Sequence, residues 1–344
     1  MAKAKTGVLL LNLGTPDSTK TSDVRKYLRE FLSDRRVIDI NPIGRWLLVN
    51  LIIAPFRSPK SAAEYRKVWT EKGSPLLYLG HELTEKLQTS LGTDYHVEFG
   101  MRYQNPGIES ALEAFKNKGF EKLIVIPLYP QYASATTGST IERVNEILNT
   151  WEIIPNLEFV SNFVDHPLFI KAFSEIGARY LEEDTYDHFV FSFHGLPARQ
   201  IKKGSTEDYC KLGDCCNAYH AKNRFCYRAQ CFETARQIAS SLNITEEKYT
   251  VCFQSRLGRD EWIRPYIDDT LPELIKNGHK KVLAFSPAFV ADCLETNIEI
   301  GEEYKHQFEE LGGEKWQLVE SLNTNDTWVA CLKDLVESKS LVKM

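Results

Sequence analysis

The 344 residues of this chain can bury a large core and, at roughly 100–200 residues per domain, point to two domains or one duplicated unit. Acidic and basic residues are interspersed and sum to a formal charge of −5. The clustered positive field that nucleic-acid binding needs is missing, so no nucleic-acid partner is expected.

The opening MAKAKTGVLLLNLGTPDS has a basic lead and an apolar run, the outline of a signal peptide. The run is short, no small-residue cleavage site follows, and Gly14, Thr15, Pro16 and Asp17 read as a turn after a buried strand. A first strand is therefore expected, in a chain kept in a reducing cytoplasm where stable disulfides are rare. Residues 46–56, WLLVNLIIAPF, are too few to span a bilayer, which takes about 20. They read either as a core helix or as the lining of an apolar cleft or a peripheral membrane contact.

Short apolar runs recur at 7–13, 95–101, 122–128, 157–163, 188–194, 249–254, 281–287 and 316–322. Most are nearly continuous in hydrophobicity, as strands covered on both faces are, and the stretches between them can hold a crossover helix. The starts at 95, 122 and 157 are spaced much like those at 249, 281 and 316. The expected architecture is α/β with two similar lobes, 1–165 and 166–323, each a mainly parallel sheet flanked by helices. A last helix over 324–338 would pack back on one of them. Ligands of open α/β sheets sit beyond the strands' carboxyl ends. No GxxxxGK[ST] and no GxGxxG after a strand occur, so no nucleotide is expected.

Those carboxyl ends carry the candidate chemistry. His194 ends the fifth run and precedes Gly195 and Pro197, a sharp turn that would present an imidazole able to accept a proton or bind a metal; a purely structural histidine is the competing reading. Glu295, Glu299 and Glu303 are spaced i, i+4, i+8, with Glu302 beside them, so a helix would stack their carboxylates on one face. Such a row lies in solvent or serves protons or cations.

Residues 209–231, YCKLGDCCNAYHAKNRFCYRAQC, hold Cys210, Cys215, Cys216, Cys226 and Cys231. Crowded thiols in a reducing compartment suggest a metal, either structural zinc or an iron–sulfur cluster, with unligated thiols as the remaining reading. Short C-x2-C knuckles typical of zinc are absent, and Cys210/Cys215 and Cys226/Cys231 are each C-x4-C, a spacing shared with plant-type [2Fe–2S] sites. Cys252 and Cys331 read as core residues, and Cys293 as either a packing residue or a soft ligand beside the acidic row.

The motifs LLNLGTP (10–16), GMRYQNP (100–106), LYPQYASATTGS (128–139), SFHGLP (192–197), QSRLGRDEW (254–262) and ETNIEIGEEY (295–304) resemble those of the ferrochelatases, over nearly the whole chain and in the same order. The resemblance implies two Rossmann-like lobes of four parallel strands each, the class II chelatase arrangement, and a lyase that inserts Fe(II), as substrate, into a porphyrin to make haem. It implies that His194 and Glu295 act on pyrrole protons or on the metal, with Glu299 next on a carboxylate path. Leu13, Arg102, Tyr103, Tyr132, Ser255 and Trp262 match positions that line or border the porphyrin pocket. It also favours a [2Fe–2S] cluster on four of the five cysteines at 210–231, as in a bacterial subgroup with an internal ligand segment. Only one of the adjacent Cys215 and Cys216 is expected to ligate. Protoporphyrin IX is the expected substrate, with coproporphyrin III as the alternative. A non-catalytic tetrapyrrole carrier and an iron–sulfur sensor are the rival classes, and either a monomer or a homodimer is compatible with the sequence.

Overall fold

The computed structural model describes residues 5–256, 258 and 260–340; Leu257 and Arg259 of the QSRLGRDEW motif lie outside the described residues. Among the described residues eight strands form, β1 (Thr6–Gly14), β2 (Tyr95–Tyr103), β3 (Lys122–Pro127), β4 (Asn156–Phe159), β5 (His188–His194), β6 (Tyr249–Gln254), β7 (Lys281–Phe285) and β8 (Lys315–Leu318). They pair into two four-stranded sheets of order β2-β1-β3-β4 and β6-β5-β7-β8, every pair parallel. The two-lobed α/β reading is borne out, and the apolar opening is a strand. β4 stops short of the run at 157–163 because its partner β3 ends at Pro127, after which Phe163 donates its N–H to Pro130 O instead.

Two compact units result. The first runs through Tyr129, takes in Ala133–Ser161 and resumes from Asn323 onward; the second holds Pro130–Tyr132 and Asn162–Leu322. In the first, Leu9, Leu11, Leu123 and Val125 on the strands pack with Ile108, Leu112, Val144 and Ile147 on covering helices. The last helix, Asp326–Ser340, belongs to this unit, held to the helix Pro75–Leu91 by Lys86 on Asp326 (2.9 Å) and Lys333 on the Ser90 carbonyl (3.0 Å). In the second, Val190, Cys252, Val282 and Ala284 pack with Ile267, Leu271, Ile300 and Phe308. Each fully buried side chain of this kind contributes about 1.5–3 kcal/mol, which is why both faces of both sheets are covered. Cys252 and Cys331 are buried core residues, as expected.

Residues 46–56 depart from the core-helix reading. They span the end of the helix Pro42–Leu47, a π-helical stretch Leu48–Ile53 and the start of the helix Ala54–Val68. Val49 and Ala54 face inward, but Trp46 is 58 % and Phe56 79 % exposed, with Leu51 and Ile52 also exposed. Strong local hydrophobicity did not dictate burial, because the two small contact positions suffice to seat the segment.

Candidate active site

In the second sheet the strand order reverses between β5 and β7, so the end of β5 is the topological switch point where such sheets bind ligands. His194 is the last residue of β5. Its Nδ1 lies 2.7 Å from the Gly195 carbonyl, which can only accept, so Nδ1 carries the hydrogen and in the neutral ring Nε2 is the acceptor. The peptide that follows is held at both ends: Tyr227 Oη donates to the His194 carbonyl at 2.8 Å, and the Gly195 N–H donates to Gln254 O at 2.8 Å. Gly195 is required here, since a Cβ would lie 2.8 Å from Gln254 O and 3.1 Å from Cε3 of Trp262. Trp262 is therefore packed over the histidine turn.

The acidic row divides. Residues Glu295–Glu303 wind as a π-helix, a form common at functional sites. Glu302 and Glu303 lie in solvent, while Glu295 and Glu299 turn inward. Glu299 accepts from Ser255 Oγ at 2.8 and 2.7 Å on its two oxygens and from Tyr304 Oη at 3.2 Å. Burial pushes its carboxyl above the usual range and nearby Glu295 adds to this, against the lowering pull of Ser255, His194 and Tyr304. The structure thus brings His194, Glu295 and Glu299 together, with Ser255 and Trp262 beside them. Ser255, in the left-handed region at φ 64°, gives its hydroxyl to the carboxylate. Cys293 is buried, its N–H and thiol both engaged by Thr296, and burial raises its pKa well above the ordinary thiol value.

Arg102 and Tyr103 meet around a different group. Arg102 donates to Asp34 at 2.7 Å and to Ser139 at 2.7 Å, with its guanidinium 4.5 Å from the Tyr103 ring centroid. Tyr103 is only 1 % exposed and its hydroxyl donates to Asp34, which gives that side chain an interior place. A cleft of about 600 Å³ in the first unit has Lys26, Arg29 and Arg102 set against Glu30 and Asp34. Leu13 lies near the end of β1, half-buried. Tyr132 belongs to the second unit, its N–H donating to Gln230 at 2.6 Å. Asp34, Tyr227 and Tyr304 were missed from sequence. Tyr304 lies five residues past Glu299, a spacing that a π turn brings together and an α turn does not.

The thiols at 210–231 gather in one nest. Cys215 and Cys216 sulfurs are 4.0 Å apart, Cys210 hydrogen-bonds with Cys215, and Cys216 with Cys226. The Cys216 contact and the N–H groups of Ala229 and Arg228 hold the Cys226 thiol below its ordinary pKa despite burial. Cys231 lies deeper, against the Tyr227 hydroxyl. Among the described residues no three His, Cys, Asp or Glu side chains form a ready metal cage. Sulfurs in pairwise contact nevertheless fit a thiolate-bound metal group in donor chemistry.

Two parallel four-stranded α/β units with polar groups at strand carboxyl ends define a chelatase-type fold. It is shared with SirB from Bacillus subtilis solved with Fe3+ (TM-score 0.54, 11 % identity, 97 % of this chain and 95 % of that one). The sirohydrochlorin chelatase SirB from B. subtilis subspecies spizizenii in complex with cobalt is similar (TM-score 0.53, 12 % identity, covering 97 % and 94 %). The ferrochelatase family model matches residues 5–340. A curated ferrochelatase from Legionella pneumophila strain Paris is 45 % identical over 97 % of this chain and 99 % of its own length. One from Coxiella burnetii strain Dugway is 44 % identical over 98 % and 94 %. The chain belongs to the ferrochelatase family: it is a metal chelatase that inserts iron into a porphyrin in haem synthesis.

Proposed function

We propose that the porphyrin is protoporphyrin IX and that His194 Nε2 takes the pyrrole protons, passing them by way of Glu295 to Glu299. A planar porphyrin hides its nitrogens and must lose two protons for each Fe(II) it takes up, so an apolar site that distorts the ring exposes the lone pairs. The observation that carries the proton path is the fixed tautomer at His194 beside a carboxylate whose pKa burial has raised. A raised carboxyl can hold a proton briefly and release it to solvent. Trp262 and Ser255 border the histidine, the first as an apolar wall and the second as a holder of Glu299; the family motifs, rather than the geometry, support Leu13, Arg102, Tyr103 and Tyr132 as porphyrin contacts.

The engagement of two arginines by an acidic partner supports the dipropionate substrate. Arg35 and Arg36 are both bound to Glu142, and Arg36 also to Ser134 at 2.9 Å, which leaves fewer cations for a porphyrin with four propionates. Anaerobic competition of protoporphyrin IX and coproporphyrin III for limiting Fe(II), with the haem products separated and weighed, tests this. A product dominated by coprohaem overturns it.

The cysteine nest holds a [2Fe–2S] cluster in this reading; against the expectation that only one of Cys215 and Cys216 ligates, the 4.0 Å contact of their sulfurs favours both, in a contiguous set with Cys210 and Cys226 and with Cys231 behind it. When bound, such a cluster supplies a thiolate crosslink and one-electron redox chemistry, whereas metal insertion itself transfers no electrons. The crowded free thiols suit a reducing cytoplasm. No helix among the described residues is long and apolar enough to cross a membrane. The exposed Ile43, Trp46, Leu51, Ile52 and Phe56 suit peripheral contact with a membrane surface by a monomer or homodimer.

A further inference from the structure

The helix Tyr227–Ser241 touches both chemical centres of the second unit through its first turn. Its N-cap is Cys226, whose thiol is held low in pKa by the Cys216 thiol and the backbone of Ala229 and Arg228. The next residue, Tyr227, is 7 % exposed and donates to the His194 carbonyl at 2.8 Å, while its hydroxyl also meets the Cys231 thiol. Arg228 then fastens the same turn to Gly213 O at 3.1 Å, in the loop that carries Cys215 and Cys216, and to Arg264 O at 3.0 Å, just past Trp262.

We propose that Tyr227 is a positioning residue for His194 and transmits the filling of the cysteine nest to the histidine turn. The inference rests on the roles proposed above for His194 and the cysteines. The peptide joining His194 to Gly195 is rigid and planar, and two hydrogen bonds fix its rotation, one from Tyr227 and one to Gln254. The next carbonyl along, that of Gly195, accepts from the imidazole. A rotation of that peptide therefore turns the ring. Four thiols that close around a metal group must shift from their spacing without one, and Cys226 is bonded directly to the residue that holds the peptide. The nest and the base are thus joined by a single side chain, with no electron transfer involved.

Tyr227→Phe keeps the ring and removes only the hydroxyl. Wild type and variant are prepared anaerobically, assayed for iron and sulfide, and compared before and after stripping with a chelator, by steady-state kinetics and by 15N NMR of the histidine rings. The variant is expected to keep its iron and sulfide, to lose roughly three- to tenfold in kcat, as for one hydrogen bond, and to change KM by less than about twofold. Stripping is expected to move the His194 resonance in wild type and leave it in place in Tyr227→Phe. Wild-type kcat and an unmoved His194 resonance in Tyr227→Phe overturn the positioning role. Equal displacement on stripping in both proteins, or none in wild type, overturns the transmission. Protein that gathers no iron or sulfide overturns the cluster reading and the transmission with it, while the effect of the variant on His194 still decides the positioning role. Should Tyr227→Phe fold poorly, amide exchange over residues 188–197 of wild type decides: faster exchange on stripping is expected, and unchanged exchange overturns the proposal.

Discussion

Arg102→Ala is expected to act first on stability. The Arg102 side chain is 17 % exposed and that of its partner Asp34 only 4 %, so the pair sits largely out of water. Removing one partner of a buried pair costs about 3–5 kcal/mol, because the remaining charge is left uncompensated. Asp34 would still accept from Ser139, from Tyr103 and from the Arg36 N–H, which places the cost near the lower end, about 3 kcal/mol. At roughly 2–4 °C per kcal/mol for a unit of this size, Tm should fall by about 6–12 °C. The pH dependence gives a second signature. Burial alone would raise the Asp34 pKa, but Ser139, the Arg36 N–H, Tyr103 and Arg102 together hold it below the ordinary value of 3.8. Its contribution to stability is therefore present above that value and lost as pH falls through the native pKa. Without Arg102 the native pKa rises, so the deficit should be full at neutral pH and shrink on acidification. Calorimetric melts between pH 8 and pH 3 measure both, and Asp34→Asn with Arg102→Met should recover most of the loss. A Tm within about 1 °C of wild type at pH 7, with only the porphyrin KM raised, would refute the reasoning and make Arg102 solely a ligand contact.

Glu299→Gln should lower turnover on the order of 10²-fold yet leave Tm at neutral pH at or above wild type. A carboxyl whose native pKa is raised stabilises the fold below its unfolded pKa and loses that contribution as pH rises through the native one, so the gain should vanish in acid; melts at pH 7.5 and pH 4 show it. Gly195→Ala forces a Cβ to 2.8 Å from Gln254 O, and should cost about 1–3 kcal/mol in a chemical melt and reduce kcat more than KM changes. Cys226→Ser should abolish iron and sulfide binding under anaerobic preparation, whereas Cys231→Ser should retain both; metal analysis with visible circular dichroism distinguishes them.

The strands could be found from sequence because buried parallel strands are continuous apolar runs, and β5, β6 and β7 needed little more than that. His194 was visible as a polar end to such a run, and Glu295 with Glu299 by their spacing. The support around them was not. Asp34 comes from a loop 68 residues before Arg102 in the chain, and Tyr227 reaches the His194 carbonyl across 33 residues, separations that carry no local pattern. Tyr304 escaped because a helical period was assumed where the chain winds as a π-helix. The run at 46–56 stayed open between burial and an exposed apolar contact for a related reason, since hydrophobicity states a preference for burial and only tertiary packing decides whether a partner exists.

The account stands or falls on the imidazole at the end of β5. Anaerobic incubation of His194→Ala with Fe(II) and porphyrin, followed by haem absorbance and proton release, with porphyrin affinity read separately by fluorescence, tests it directly. Wild type should release two protons for each iron inserted, while the variant binds porphyrin with unchanged affinity and forms no haem. Near-normal turnover by the variant would contradict the account.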